Sequence, residues 1–183
     1  WISKSNNPKR KLKYTLEIIE VKKTKVGINT FSTNKIVHHA LHNKLIKEFN
    51  DFVDIKPEAK FGANTRFDFL ISNKKYQSFI EVKNVTLSRK KNLAEFPDAE
   101  TLRGLKHINE LIKASKKKFK VYILFLIQRE DCNSFSIAKD IDPNYANALS
   151  KAVENNLKIL CYDCKFSSKG IKLNKQIKLI FNE

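Results

Sequence analysis

Hydrophobic and polar residues alternate most clearly over residues 66–87, which read RFDFLISNKKYQSFIEVKNVTL. The two halves of this stretch are rich in aromatic and β-branched residues and flank the polar segment SNKKYQ, a pattern that predicts two antiparallel strands. Because side chains alternate between the faces of a strand, Glu81 and Lys83 share one face of the second strand with Phe79. Asp68 lies on the first strand. Charged groups are therefore predicted inside a half-buried strand pair, where they are unusual.

The same reasoning predicts the remaining elements. In chain order they are strands over 1–5, 11–21 and 25–29, a helix over 34–49, a strand over 53–61, the pair in 66–87, a helix of about sixteen residues after Pro97, a strand over 121–127, a helix over 142–155, and a closing strand and hairpin. The polar segment SRKKNLAEF, residues 88–96, is predicted to be a long loop that contacts substrate.

Two acids and a lysine on neighbouring strands suggest a metal site. Adjacent carboxylates repel each other, and each costs several kcal/mol to desolvate unless a cation lies between them. Carboxylate oxygens are typical ligands of Mg²⁺ or Mn²⁺. Glu48 falls on the apolar face of the helix predicted over 34–49, so it is a candidate third ligand. A salt bridge at the helix end is the alternative for Glu48.

An aspartate, twelve residues and then Glu-x-Lys resembles the signature of the PD-(D/E)XK nuclease superfamily. There the carboxylates hold a hard cation, and the lysine orients a water or neutralises developing charge, which assigns these roles to Asp68, Glu81 and Lys83. The order helix, three strands, helix and strand from residue 34 onward is that of the superfamily core, and it is read from periodicity alone. A solvated hairpin with an ordinary cross-strand salt bridge is the alternative.

The chain is strongly basic, with 36 Lys and Arg against 19 Asp and Glu among 183 residues and a formal net charge of +17. This excess favours a polyanionic partner and predicts salt-sensitive binding to phosphates, although the composition of an AT-rich genome would also produce it. The longest apolar run, VYILFLI, is too short to cross a bilayer, and no secretory signal opens the chain. We therefore expect a cytoplasmic protein with no membrane partner.

Two groups of residues are candidates for nucleic-acid contact. The first group lies in a basic N-terminal loop and comprises Lys9, Arg10, Lys11 and Lys13, with an ordinary exposed loop as the alternative. The second group, Arg103, Lys106 and His107, shares one side of the helix after Pro97, with a solvated helix face as the alternative. Gly104 costs this helix about 1 kcal/mol relative to alanine, which close approach of another backbone or a ligand would explain.

The other potential metal ligands fit a site less well. His38 and His42 have the i, i+4 spacing of a metal-binding pair, but no third ligand accompanies them. Cys161 and Cys164 form a CxxC, yet a strand would place them on opposite faces and no second CxxC completes a zinc site. Both cysteines are therefore predicted to be packing residues, and three cysteines are too few for a secreted disulfide framework.

Several ungapped blocks carry a closer resemblance, which spans nearly the whole chain. They read WISKSNNPKRKLKYT, VGINT, NKIV, RFDFL, EVKNVTL, FPDAETLRGLKH, LFLIQR and IDPNYA. On these blocks the sequence resembles the bacterial and archaeal sugar fermentation stimulation proteins. The resemblance implies an α/β fold in which a mixed-sheet PD-(D/E)XK nuclease-like domain covers residues 31–183. Residues 1–30 would be the C-terminal strands of an incomplete OB-type barrel, whose first strands lie outside this sequence.

The resemblance also implies function, because the family is regarded as DNA-binding and is named for an effect on maltose-gene expression. Asp68, Glu81 and Lys83 match its nuclease-like residues. The leading hypothesis is a DNA-binding, magnesium-dependent deoxyribonuclease that hydrolyses phosphodiester bonds with Mg²⁺ or Mn²⁺ as cofactor. A non-catalytic DNA-binding regulator of sugar metabolism genes is the main alternative, and a protein that binds or processes RNA is the third.

Overall fold

A computed structural model describes residues 1–180, which form three α-helices and fourteen strands. The helices are α1 (Thr33–His42), α2 (Leu102–Lys116) and α3 (Pro143–Glu154). The strands are β1 (Ile2–Lys4), β2 (Tyr14–Leu16), β3 (Ile18–Val21), β4 (Thr24–Gly27), β5 (Asp54–Phe61), β6 (Thr65–Ser72), β7 (Gln77–Val85), β8 (Leu87–Lys90), β9 (Asn92–Phe96), β10 (Lys120–Ile127), β11 (Cys132–Ile137), β12 (Leu157–Ser167), β13 (Gly170–Gln176) and β14 (Lys178–Ile180).

A six-stranded mixed sheet forms the centre of the molecule, in the order β13-β12-β10-β7-β6-β5. Strand β10 runs parallel to both of its neighbours, β7 and β12, while the pairs β5–β6, β6–β7 and β12–β13 are antiparallel. Strand β5 is an edge strand, which accommodates Pro57 because proline cannot donate to a sheet ladder. The mixed α/β class predicted from the sequence is confirmed.

Hydrophobic side chains on the two faces of this sheet build two separate cores. Helix α1 packs on one face, and α2, α3 and a smaller sheet pack on the other. Successive residues of β10 point alternately into the two cores, so Leu124 faces α1 while Phe125 faces α2 and α3. This arrangement explains why the VYILFLI segment has no polar position, since both of its faces are covered. Cys161 and Cys164 enter opposite cores, as predicted.

The helix predicted over 34–49 is wrong in its second half, because α1 ends at His42. Lys44 adopts a left-handed φ of 54°, and the amide of Leu45 donates to the carbonyl of Ala40 at 2.9 Å. Together with the bond from the Lys44 amide to the Leu41 carbonyl, this is a Schellman ending, which normally uses glycine. The Asn43-Lys44 pair contains no glycine to mark this ending, and the apolar spacing continues past it.

The loop predicted over 88–96 is also wrong, because these residues form the hairpin β8–β9. Asn92 supplies the positive φ of 63° that the tight turn requires. Strand β9 then pairs in parallel with β11, and β11 with β14, to give a four-stranded sheet in the order β14-β11-β9-β8. The partner strand lies about forty residues away in the chain, which a local hydrophobic pattern does not reveal.

Gly104 is required by packing within the protein. A Cβ atom at this position would lie 2.8 Å from the Thr101 side chain, which caps α2, and 3.1 Å from the ring of Tyr145 on α3. The glycine therefore lets the two helices and the cap approach each other. The predicted cause, close approach of another backbone or a ligand, is wrong, because the groups that approach Gly104 are the side chains of Thr101 and Tyr145.

Substituting Gly104→Ala should accordingly destabilise the protein, even though alanine favours a helix by about 1 kcal/mol. We expect a loss of about 1–3 kcal/mol in the free energy of unfolding, measured in urea, because the new methyl group overpacks the contact. The control is Asn109→Ala, at an exposed position of the same helix, which should raise stability by up to about 0.7 kcal/mol. A Gly104→Ala variant as stable as the control would contradict the packing argument.

Candidate functional site

The two strands predicted over 66–87 bring Asp68 and Glu81 side by side. Phe69 pairs with Ile80 as the last pair of the antiparallel β6–β7 ladder. The next residue on each strand is an acid, Asp68 on β6 and Glu81 on β7. The regular pairing stops there, and the amide of Val82 donates to Asp68 Oδ2 at 2.7 Å. The strands diverge at the carboxylates, which opens one end of the sheet to a cleft.

Asp68 is held on its other side by Asn34, the second residue of α1, whose Nδ2 donates to Oδ1 at 2.7 Å. Burial is the main cause that raises the pKa of Asp68 to about 6, and the neighbouring Glu81 carboxylate acts in the same direction. The two hydrogen bonds act in the opposite direction but only in part offset these effects. The site therefore holds a carboxylate whose charge is poorly compensated within the protein.

Glu81 is the better compensated of the two acids. Its side chain is 3% exposed; Lys83 Nζ donates to Oε1 at 2.7 Å, and His107 Nδ1 from α2 donates to the same oxygen. Burial alone would raise the pKa of Glu81, but the His107 and Lys83 contacts hold it below its usual value. The second oxygen, Oε2, is buried and has no hydrogen-bond partner within residues 1–180. One carboxylate oxygen of Glu81 is thus left without a hydrogen-bond partner among the described residues.

The raised pKa of Asp68 makes the stability of the metal-free protein depend on pH, which can be measured in EDTA. Because the folded-state pKa of about 6 exceeds the ordinary 3.8, folding takes up a proton between these values. Protonated Asp68 therefore stabilises the folded state fully below about pH 4. This contribution to the free energy of unfolding, about 3 kcal/mol, is lost as the pH rises through 6. We therefore expect Asp68→Asn to be about 1–3 kcal/mol more stable than wild type at pH 7.5, with the difference shrinking towards pH 4 in urea unfolding. Asp54→Asn, at an exposed position of β5, should show no such pH-dependent gain, and an equal gain there would contradict the assignment.

These groups line a cleft of about 890 Å³. Its residues come from the turn before α1, from α1 itself, from the β5–β6 hairpin, from β7 and from α2, and they carry five cations and three carboxylates. The cations are Lys35, Arg66, Lys83, Arg103 and Lys106, and the carboxylates are Glu58, Asp68 and Glu81. The cleft is therefore basic overall while its deepest groups are acidic.

The structure brings together most, but not all, of the residues singled out in the sequence. Arg103, Lys106 and His107 line the same cleft as the carboxylates, and Lys106 Nζ reaches the Asn64 carbonyl at 3.4 Å. The basic N-terminal group does not line it. That group lies in the exposed loop between β1 and β2 and comprises Lys9, Arg10, Lys11 and Lys13.

Glu48 is placed away from the two acids, so its prediction as a third ligand is wrong. It lies in a single 3-10 turn after α1 and accepts a hydrogen bond from the Tyr162 hydroxyl at 3.0 Å. Tyr162 belongs to the core on the α1 side of the sheet, whereas Glu81 points towards α2. The error follows from extending α1 beyond His42, which put Glu48 on a helix face that does not exist.

Asn34 and Phe31 contribute to the cleft although sequence reasoning did not assign them a role there. Asn34 lies at the start of the predicted helix, and its side chain holds Asp68. Phe31 lies in the 3-10 turn Thr30–Ser32 and is 86% exposed. Both residues lie in the NTFSTN segment at the start of α1, where no local pattern indicates that Asn34 contacts a strand more than thirty residues further along the chain.

A second cavity of about 600 Å³ adjoins the cleft and shares Asn34, Lys35, Glu58 and Asp68 with it. It is lined by three α1 histidines, His38, His39 and His42, and by Phe69. The His38 and His42 rings lie 4.6 Å apart, and His38 stacks on Phe69. Among residues 1–180 no three His, Cys, Asp or Glu side chains form a preassembled metal site.

Comparison with known families agrees with the blocks found in the sequence. The family model described as the sugar fermentation stimulation protein RE domain matches residues 32–170. This chain belongs to the sugar fermentation stimulation protein family. The matched part runs from the N-terminus of α1 to β13 and includes both acids of the candidate site. The resemblance predicted from the sequence is confirmed.

Individual members of the family match over almost the whole chain. The sugar fermentation stimulation protein homologue of Pelagibacter ubique is 52% identical over 98% of this chain and 78% of its own length. The homologue of Bartonella henselae is 41% identical over 98% of this chain and 77% of its own length. A solved structure described as Pyrococcus furiosus SfsA in complex with Ca²⁺ is similar with a TM-score of 0.89. It is 26% identical, and the match covers 98% of this chain and 76% of that one. Within residues 1–180 no helix is both long and apolar enough to cross a membrane.

Proposed function

We propose that this sugar fermentation stimulation protein binds DNA, holds a divalent metal ion at Asp68 and Glu81, and hydrolyses phosphodiester bonds. The observation that carries the proposal is the pair of part-buried and buried carboxylates on adjacent strands, with Lys83 and His107 against them, in the depth of a basic cleft. The cations at the rim of the cleft, Arg66, Arg103 and Lys106, attract a polyanion, whereas Asp68 and Glu81 in its depth attract a cation. This combination is what metal-assisted phosphodiester hydrolysis requires.

The donor set fits a hard divalent cation. Asp68 carries a charge that its neighbours compensate only in part, and Glu81 Oε2 is a buried carboxylate oxygen without a partner in the described chain. Mg²⁺ is commonly held by one or two carboxylates while keeping several waters, so the lack of a third acid is compatible with Mg²⁺ or Mn²⁺. The Ca²⁺ named for the Pyrococcus furiosus protein supports a cation of this class.

The metal would supply positive charge to the scissile phosphate and lower the pKa of a water molecule. Lys83, whose ammonium lies 2.7 Å from Glu81, would orient a water or neutralise charge on the phosphate. His107 would hold the Glu81 carboxylate in place. The cations of the rim, Arg66, Arg103 and Lys106, would bind neighbouring phosphates of the strand.

We also propose that the chain combines a nuclease-like domain with part of an OB-type barrel. Residues 31–183 would form a PD-(D/E)XK nuclease-like domain whose core is α1, β5, β6, β7, α2 and β10, with the hairpin β8–β9 inserted before α2. In support, the helix, three strands, helix and strand occur in that order, with Asp68 on the second strand and Glu81 on the third. Residues 1–30 would be later strands of an OB-type barrel, which the antiparallel pairs β1–β2 and β3–β4 are compatible with.

The experiment is a cleavage assay on supercoiled plasmid and on single-stranded DNA with Mg²⁺, Mn²⁺ or Ca²⁺ as the divalent ion. Cleavage with Mg²⁺ or Mn²⁺ that EDTA abolishes is the expected result. A crystal soaked in Mn²⁺ should show anomalous signal between Asp68 and Glu81. Protein that is folded and binds DNA but never cuts it would overturn the catalytic part of the proposal.

A second candidate function is a DNA-binding regulator without catalysis. The observation that favours it is that Glu81 Oε1 is already bonded by Lys83 and His107, so the site is partly neutralised without a metal. A regulator would bind DNA equally well in EDTA and in Mg²⁺. The proposed nuclease would instead bind or cut in a manner that depends on the ion.

A further inference from the structure

Phe31 is a nearly fully exposed aromatic side chain on the rim of the basic cleft. It is 86% exposed and lines the same cavity as Asp68 and Glu81. Single exposed apolar residues are common on protein surfaces, and Val53, which is 82% exposed, is an example outside the cleft. The combination of exposure with a place among phosphate-binding groups distinguishes Phe31.

The backbone that carries Phe31 is firmly held. Asn29 Oδ1 accepts the Phe31 amide at 3.1 Å, and the Ser32 hydroxyl donates to the Asn29 carbonyl at 2.6 Å. The Asn29 side chain is in turn anchored by a bond from its Nδ2 to Glu17 at 2.8 Å. A ring presented to solvent from a restrained turn loses little conformational entropy when a flat partner stacks on it.

The surroundings of the ring identify the chemistry of such a partner. Lys35 lies one helical turn further on, and four more cations line the same cleft. An apolar peptide would not be favoured by this many cations, whereas a single nucleic-acid strand presents phosphates and flat bases together. Proteins that bind single strands combine a basic groove with exposed aromatic side chains in this way. The bases of an intact duplex are stacked on each other and cannot cover the ring.

We propose that Phe31 is a stacking platform for an unpaired base of a DNA strand lying in the cleft, so that this protein prefers single-stranded or locally opened DNA. The inference rests on the proposed DNA-binding function and names its substrate class. The phosphates of the strand would lie on Arg66, Arg103 and Lys106. A base must be unpaired and unstacked from its neighbours before it can stack on Phe31, so this contact disfavours binding of paired DNA.

The test is fluorescence anisotropy with a fluorescein-labelled oligothymidylate and with a labelled duplex of equal length, both in EDTA so that no strand is cut. Phe31→Ala should weaken binding to the single strand by roughly 5- to 150-fold and leave the duplex affinity unchanged. Phe31→Trp should retain the affinity, and its indole fluorescence should be quenched by the oligonucleotide in a Trp1→Phe background. Val53→Ala is the matched control and should bind as wild type does.

Results of this assay are independent of catalysis. If Phe31→Ala binds the single strand as wild type does, or loses as much affinity for the duplex, the stacking inference is overturned even where cleavage is observed. If Phe31→Ala loses affinity only for the single strand while the wild-type protein does not cut DNA, the stacking inference is supported and the catalytic proposal fails. Unquenched indole fluorescence in saturated Phe31→Trp complexes would also overturn the inference.

Discussion

Asp68→Ala is expected to lower metal-dependent DNA cleavage by roughly 100- to 1,000-fold. Asp68 is one of only two acids proposed to hold the ion, and Glu81 alone, bonded to Lys83 and His107, is left with one uncommitted oxygen. Loss of Asp68 therefore removes the site for the ion and the charge that it brings to the phosphate. The measurement is the initial rate of plasmid relaxation in Mg²⁺ and in Mn²⁺.

Metal binding can be measured separately from cleavage by thermal unfolding. At a concentration about 100 times the dissociation constant, an ion that binds only the folded protein adds about 2.7 kcal/mol, which raises the melting temperature by roughly 5–10 °C in a domain of this size. Wild type should show this shift and Asp68→Ala should not. Asp54→Ala, an exposed acid at the far end of β5, controls for general loss of negative charge and should behave as wild type.

Full activity in a folded Asp68→Ala protein would contradict the assignment of the site. An activity that is lost in both aspartate variants would also contradict it, since Asp54 lies outside the cleft. Loss of cleavage with an unchanged metal-induced shift would mean that the ion binds elsewhere. DNA binding in EDTA should survive the Asp68→Ala substitution, because the rim cations are untouched.

Phe125→Ala is expected to destabilise the protein by about 3–5 kcal/mol, the largest effect on stability that we predict. Phe125 is fully buried on the central strand β10, and its ring lies 4.5 Å from that of Phe135 and 5.4 Å from that of Phe96. Phe96 and Phe135 belong to the smaller sheet, so this side chain joins the two sheets. Its removal leaves a cavity between layers that cannot easily collapse.

The measurement is the free energy of unfolding in urea, in EDTA to exclude any contribution from metal. Phe31→Ala is the matched control, since it removes the same atoms from a side chain that is 86% exposed and should change stability by no more than about 0.5 kcal/mol. A loss below about 1 kcal/mol for Phe125→Ala would mean that the two sheets do not depend on this contact.

The strand pair that carries the site was predictable because several signals there agree. Residues 66–87 contain two runs rich in aromatic and β-branched residues, a polar turn separates these runs, and the pairing is local, so its register follows from the turn. The helix predicted over 142–155 is likewise confirmed as α3, whose start has a local signal: Asp142 accepts the Tyr145 amide at 2.8 Å and Pro143 occupies the first turn. Local chemistry of this kind needs no knowledge of distant residues.

The errors lie where distant contacts decide the local structure. Residues 88–96 look like a polar loop but become β8 and β9, because β11 supplies a partner about forty residues away. The apolar residues after His42 continue the helical spacing, yet Ile46 and Phe49 reach the core from a turn and a 3-10 segment instead. Glu48 lies in this 3-10 segment and not on a helix face, which places it away from the site.

The sequence by itself determined the family, the α/β class, and the pair of strands that carries Asp68, Glu81 and Lys83, because these depend on ungapped blocks and on short-range alternation. Only the tertiary structure decided that Asn34 and His107 bond the two acids, that Glu48 faces the opposite side of the sheet, and that Phe31 stands exposed at the rim. These contacts join segments separated by tens of residues. Their geometry is set by how the helices pack on the sheet, which no local pattern encodes.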